Sequence, residues 1–381
     1  SIARQASELG IEMLVLDDGW FGSRDSDNAG LGDWFVNTDK LKGGLTDLVT
    51  GINGLGMKFG IWIEPEMVNE DSRLYREHPD WALTIPGRKP CRSRNQLVLD
   101  MSRSEVRDYV FDSIAAVLKS ANVEYVKWDM NRSICDVYSA VLPKERQGEV
   151  YHRYVLGIYD LMERFTSSFP NILFEGCSGG GGRFDPAILY YSPQIWCSDD
   201  TDGIERLEIQ YGTSLFYPIS AVGSHVSAIP NHQTGRRTPL ATRGVVAMAG
   251  SFGYEMDLNL LTEDEKEAVK AQVEDYKKYY DLIHNGDYYR LTSPQGDSGF
   301  TAWQFVSGDK TRTLLNLVIT HVRANAPDLW FKLRGLDPEK RYRLEENGRI
   351  YSGSALMNAG ISIPMIMGDY PAVQMEFKEI D

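Results

Sequence analysis

The chain reads as α/β: a (β/α)8 TIM barrel whose first strand is missing from this chain, followed by a small antiparallel β-sandwich domain. Three observations predict this. Short apolar runs alternate with longer helical patterns, the sign of βαβ units around a buried parallel sheet. Several of those runs end in a carboxylate, where barrel strands carry chemistry. Beyond residue 288 helical periodicity stops, and short strand-like runs broken by Gly, Pro, Asp and Asn take over.

The elements follow in order. Ser1–Gly10 reads as the last turns of an amphipathic helix ending at a Gly cap, so the chain is expected to begin in mid-element. Strands are expected at Met13–Asp18, Lys58–Pro65, Glu124–Asp129, Ile172–Cys177 and Gln194–Asp199, with further ones at Phe216–Val222 and Ser251–Met256. Helical patterns lie between most of them, at Leu45–Leu55, Ser104–Ser120, Gly148–Ser168, Ile204–Leu215 and Arg237–Ala249. Leu261–Asn285 is a charged helix that Thr262 and Glu265 open with a capping box. The late strand-like runs are Thr301–Val306, Thr311–Ile319, Trp330–Leu333, Arg341–Leu344 and Val373–Phe377. The expected division is therefore 1–288 for the barrel and 289–381 for the antiparallel domain. A doubly wound open sheet is the rival fold, but it announces itself with a Gly-rich first turn. Here the Gly cluster, Gly179–Gly182, follows a late strand.

Composition narrows the function. At 381 residues the chain exceeds what one core usually supports, so a large and a small domain are expected. A formal charge of −14 argues against nucleic acid or an anionic membrane as partner. No apolar run reaches the roughly 18–20 residues that span a bilayer. Cys91, Cys135, Cys177 and Cys197 lack C-x-x-C spacing, so neither a zinc site nor a redox pair is expected, and a cytoplasmic setting with reduced thiols is. No metal and no cofactor is expected.

Reading the strand ends collects Asp17, Asp18, Trp62, Glu64, Glu66, Lys127, Asp129, Cys177 and the stretch Ser198–Asp202. A single acid there is usually a helix cap or a loop ion pair. Four strands ending in acids need a compensating cation, a metal or a function. Strand alternation puts Lys127 and Asp129 on one face, and a neighbouring ammonium favours the ionised carboxylate that a nucleophile requires. Asp199, beside Asp200 and Asp202, sits where negative neighbours favour the protonated form that a general acid requires. Two such carboxylates across a pocket are the machinery of glycoside hydrolysis. A metal-dependent barrel enzyme using Asp17, Glu64, Asp129 and Asp199 as ligands, and a non-catalytic sugar-binding protein, are the other readings.

Six ordered blocks sharpen this. They are Leu16-Asp-Asp-Gly-Trp-Phe-Gly22, Gly30-Leu-Gly-Asp-Trp34, Phe59-Gly-Ile-Trp-Ile-Glu-Pro-Glu-Met-Val-Asn69, Lys127-Trp-Asp-Met-Asn-Arg132, Phe174-Glu-Gly-Cys-Ser-Gly-Gly-Gly-Gly-Arg183 and Trp196-Cys-Ser-Asp-Asp-Thr-Asp202. Together they resemble the α-galactosidases of glycoside hydrolase family 36. The resemblance implies a retaining exo-α-galactosidase that removes terminal α-linked galactose from raffinose-family sugars and melibiose through a covalent galactosyl-enzyme. An α-N-acetylgalactosaminidase or an α-galactosyl transglycosylase of the same fold is the alternative. It implies Asp129 as nucleophile and Asp199 as acid/base, with Asp17 and Asp18 on galactose hydroxyls. Trp62, Arg94, Lys127, Cys177 and Gly180 complete the implied sugar site. Adjacent aspartates accept several hydroxyl hydrogen bonds, an indole face packs on sugar C–H groups, and Gly180 lets backbone approach the ring. Members normally carry an amino-terminal β-sandwich and a first barrel strand as well, so this chain is expected to be part of a longer polypeptide. The full-length protein is expected to be a homo-oligomer.

Overall fold

The computed structural model describes residues 1–296, 298–325, 327–364 and 366–380; Asp297, Ala326, Met365 and Asp381, all in the expected carboxy-terminal domain, lie outside the described residues. The chain divides into two compact units, one of Ala3–Ile195 and one that begins at Trp196.

The first unit opens with the helix Ile2–Glu8, which ends as its sequence requires. Gly10 takes a φ of +81°, its N–H reaches the Ser7 carbonyl, and the Ile11 N–H reaches that of Ala6. Five parallel strands follow in chain order, each paired with the next: Met13–Leu16, Lys58–Ile63, Tyr125–Trp128, Leu173–Gly176 and Gln194–Trp196. Lys58–Ile63 is buried after its first residue, as a strand covered on both faces should be. The helix Ser104–Ser120 keeps its expected limits and buries Val106, Val110, Ile114 and Leu118, a stripe spaced by about one turn. Against it lies Val150–Ser168, which buries Tyr154, Ile158, Leu161 and Phe165. Gly157 in that helix faces the backbone of Met101 so closely that a Cβ would stand 1.9 Å from the Met101 oxygen. No other residue fits there.

In the second unit Val222–Ser227 pairs in parallel with Ser251–Glu255. The first of these corrects the expected strand Phe216–Val222. Phe216 is 84% exposed, and Pro218 leads into a 3-10 turn at Ile219–Ala221. Proline cannot donate to a ladder, so the turn comes first and the strand starts after Ala221. Glu263–Asn285 carries the predicted capping box: the Glu265 N–H donates to Thr262 Oγ1, and the Thr262 N–H to Glu265 Oε2.

The antiparallel sheet begins at Asp287. Its six strands lie in the order Asp287–Arg290, Phe300–Val306, Arg312–Ile319, Ala372–Ile380, Arg341–Leu344 and Ile350–Ser352. A second sheet pairs Leu329–Phe331 with Ile361–Ile363. Leu315, Leu317, Tyr342 and Phe377 from the large sheet share one core with Phe331, Ile361 and Ile363 from the small one, which makes the layered β domain. Arg290 Nη1 donates to the Ser214 carbonyl and so fastens this domain to the end of the Glu205–Thr213 helix. Among the described residues no helix is long and apolar enough to cross a membrane.

Candidate active site

Strand register builds the site in the first unit. Trp62 lies opposite Lys127, Lys127 opposite Glu175, and Glu175 opposite Gln194, so four neighbouring strands contribute one row of side chains. Two residues on from Lys127, past the strand's end, stands Asp129. Its N–H continues the ladder to the Ile63 carbonyl at 2.8 Å, so the backbone holds it in strand-like register.

The Asp129 carboxylate is 6% exposed and surrounded by donors. Trp62 Nε1 at 3.1 Å and Asn131 Nδ2 at 2.6 Å donate to Oδ2. The Met130 N–H at 2.9 Å and, at the limit of contact, the Gly179 N–H at 3.5 Å donate to Oδ1. Donors that favour the charged form let a buried carboxylate remain an anion. Burial opposes the charge on Lys127, but Glu175 first, then Cys177, Asp17 and Asp129, raise its pKa above that of an ordinary lysine. Cys177 is buried, and burial followed by the negative Asp129 pushes its thiol well up, so it faces the anion as a neutral S–H. Asp17, Trp62, Lys127, Asp129 and Cys177 thus form one electrostatic cluster.

The remaining expected residues of this unit border it. Asp17 is exposed, and its Oδ1 accepts the Asp18 N–H. Asp18 is engaged on both oxygens by Arg24, whose Nη2 lies 2.8 Å from Oδ2. Gly180 is buried at a φ of +80°, and its carbonyl accepts the Ser178 N–H at 2.7 Å, so a tight turn lies next to Cys177. Arg94 is exposed in a turn closed by the Ser93–Gln96 bridge, at a φ of +51°. Among the described residues its guanidinium has no side-chain partner.

Asp199 belongs to the second unit. It is exposed, and Trp196 Nε1 donates to its Oδ1 at 3.1 Å. The neighbouring acids are turned to structural work. Asp200 Oδ1 accepts the Asp202 N–H at 2.9 Å. Asp202 is 1% exposed, and burial opposes its charge, but Thr234, the Ile204 N–H and Arg236 hold its pKa below the ordinary value. Beneath the turn, Arg206 donates to the carbonyls of Ser198 and Asp200. Asp199 and Asp200 thus each accept one donor on Oδ1, from the Trp196 indole and from the Asp202 N–H.

Several residues of the site escaped the sequence. Glu64, a strand-end acid that the sequence offers only as a ligand in the metal-dependent alternative, is 1% exposed and accepts the Asn131 N–H at 2.6 Å and Gln96 Nε2 at 2.9 Å on the same oxygen. Glu66 accepts Trp128 Nε1, the Tyr154 hydroxyl and Arg183. Arg183 also donates to Ser178 Oγ, which ties the glycine turn to the same buried acid. Glu175 compensates Lys127; its position was legible, because alternation puts it on one face with Cys177. Among the described residues no three His, Cys, Asp or Glu side chains are grouped to hold a metal ion.

Parallel strands joined by helices and ended by a cluster of acids are the layout of a (β/α)8 hydrolase barrel, and comparison with known proteins places it. Residues 1–286 match the melibiase family, and residues 300–377 match the glycosyl hydrolase family 36 C-terminal domain. The chain belongs to glycoside hydrolase family 36, with a TIM barrel followed by an antiparallel β domain. It is 56% identical over 379 residues to the bifunctional alpha-galactosidase/sucrose kinase AgaSK of Mediterraneibacter gnavus, covering 100% of this chain and 40% of that protein. It is 53% identical over 381 residues to alpha-galactosidase AgaA of Geobacillus stearothermophilus, covering 100% of this chain and 52% of that one. The crystal structure of the latter superposes with a TM-score of 0.98, covering 100% of this chain and 52% of that one at 53% identity. A variant of that enzyme in complex with raffinose gives 0.97 at 52% identity and the same coverage. The chain thus spans about half the length, or less, of these relatives.

Proposed function

We propose that this chain carries the catalytic barrel of a retaining exo-α-galactosidase acting on raffinose-type sugars and melibiose. The reading rests above all on Asp129: a buried carboxylate supplied with donors, beside Lys127 and Trp62, in a chain whose relatives are named alpha-galactosidases. In this reading an Asp129 oxygen attacks the anomeric carbon of a terminal α-galactosyl unit. The bond to the aglycone oxygen breaks, and that oxygen takes the proton of Asp199. A water then attacks the ester from the same face as the departed aglycone, returns a proton to Asp199 and frees α-galactose. Asp17, Asp18, Lys127 and Cys177 would hold galactose hydroxyls, with Trp62, Gly180 and Arg94 at the edges of the sugar. The barrel is taken as 1–288, the antiparallel domain as 289–381, the setting as cytoplasmic and the full-length protein as a homo-oligomer.

Trapping with a 2-deoxy-2-fluoro-α-galactosyl fluoride tests the central step. The label is expected on the peptide containing Asp129, with α-galactose as the first product seen by NMR during turnover of an aryl α-galactoside. A label on another carboxylate, or β-galactose formed first, overturns the assignment. Parallel assays on the α-glucoside and α-N-acetylgalactosaminide should show little turnover.

A further inference from the structure

We infer that Glu64 and Asn131 form a positioning pair that aims the Asp129 carboxylate. The inference rests on the reading of Asp129 as the attacking group and adds two residues to it. Asn131 is the link. Its side-chain Nδ2 donates to Asp129 Oδ2 at 2.6 Å while its own backbone N–H donates to Glu64 Oε1 at 2.6 Å. Glu64 ends the Lys58–Ile63 strand, so it is anchored to the sheet, and its Oε1 also receives Gln96 Nε2 at 2.9 Å.

The arrangement has a physical logic. The loop after Asp129 belongs to no helix or strand until residue 144, and an amide on such a loop wanders unless something holds its backbone. Glu64 is that hold. A group 1% exposed, accepting two donors on one oxygen, is a fixed point against which Asn131 is set. Asn131 then fixes one oxygen of Asp129 from one side, and Trp62 Nε1 fixes the same oxygen from another. With Oδ2 held twice, Oδ1 receives the Met130 N–H and, at the limit of contact, that of Gly179, and the Cys177 thiol also bonds to the carboxylate. Burial, then the nearby Asp129 carboxylate, pushes Glu64 up to about 7, against the donors from Asn131 and Gln96. A second anion in that place would compete for the same donors.

The test is a double-mutant cycle on an aryl α-galactoside. Asn131→Ala leaves the backbone N–H to Glu64 and removes the side-chain amide, which donates to Asp129 and also reaches Glu64. It is expected to lower kcat about 100-fold, the scale for a misplaced reacting group, while KM and the inhibition constant of galactose stay within about twofold. Glu64→Ala should give a similar loss, and the two together should cost little more than either alone, because both cut one chain of contacts. Glu64→Gln retains an oxygen acceptor and should recover most of what Glu64→Ala loses. Losses that multiply, or a rise in KM with kcat unchanged, overturn the pair. Should Glu64→Ala fail to fold, the kcat-against-KM split of Asn131→Ala and the recovery in Glu64→Gln decide alone. Asp129→Asn run alongside separates the two levels: if it still turns over, the reading of Asp129 fails; if it is dead while Asn131→Ala is normal, only the pair fails.

Discussion

Replacing Glu64 by glutamine should change how stability depends on pH, by an amount the structure sets. Glu64 moves from 4.5 to about 7 on folding, mainly through burial and secondarily through the charge on Asp129, against the opposing donors Asn131 and Gln96. An acid whose pKa is raised in the native state binds its proton more tightly there than in the unfolded chain. Its contribution is therefore complete below the unfolded value of 4.5 and declines as pH rises through about 7. At about 1.36 kcal/mol per pH unit, the full decline is about 3 kcal/mol. Glutamine has no proton to lose. The unfolding free energy of the unchanged protein, minus that of Glu64→Gln, should fall by about 3 kcal/mol between pH 4.5 and 8 and be flat outside that window. Urea unfolding of both proteins at matched ionic strength, read for the transition of the first unit, measures it, and taking the difference cancels every other titrating group. A difference that stays constant within about 0.5 kcal/mol, or that grows with pH, would falsify the claim that folding raises the Glu64 carboxyl.

Three further outcomes are expected. Asp199→Ala should slow raffinose-type substrates far more than activated aryl galactosides, which need no protonated leaving group; equal losses on both would remove Asp199 as the acid. Asp17→Ala should mainly raise KM and weaken galactose binding, and calorimetry giving an unchanged affinity would take it out of the sugar site. Gly157→Ala puts a methyl 1.9 Å from the Met101 oxygen and should destabilise the first unit by about 1–3 kcal/mol in urea, with kcat unaffected.

What the sequence could and could not disclose follows from the range of the interactions involved. Helix Ser104–Ser120 kept its limits because its apolar stripe is a property of neighbours on one chain segment. The Thr262–Glu265 box was legible for the same reason, being complete within four residues. The strand at Phe216–Val222 was misplaced although its proline was in view: hydrophobicity alone reads FYPISAV as a strand, while the missing N–H of Pro218 forces a turn first. The row Trp62–Lys127–Glu175 is intermediate. Alternation told which face each occupies, and register, which couples three strands separated by dozens of residues, made them adjacent.

The roles of Glu64, Glu66 and Arg183 were beyond any such pattern. Each depends on a contact across 32 to 117 residues, and the same Glu-Pro-Glu letters would suit two exposed loop acids. Their burial changes the argument about the acid cluster. From sequence, the crowding of carboxylates at the strand ends called for a metal, a cation or a function. The first unit answers it with a division of labour. Glu66 is neutralised by Arg183, Glu175 is set against Lys127, Asp18 against Arg24, and Glu64 holds a proton. Asp129 receives hydrogen bonds from Trp62, Asn131 and the Met130 N–H, and it lies in the electrostatic surroundings of Lys127. The nucleophile of the proposed function needs that treatment: donors that favour the ionised carboxylate where water is excluded. The surplus of acid is thus compensated one residue at a time, and Asp129, the nucleophile of the proposed function, is compensated by hydrogen-bond donors.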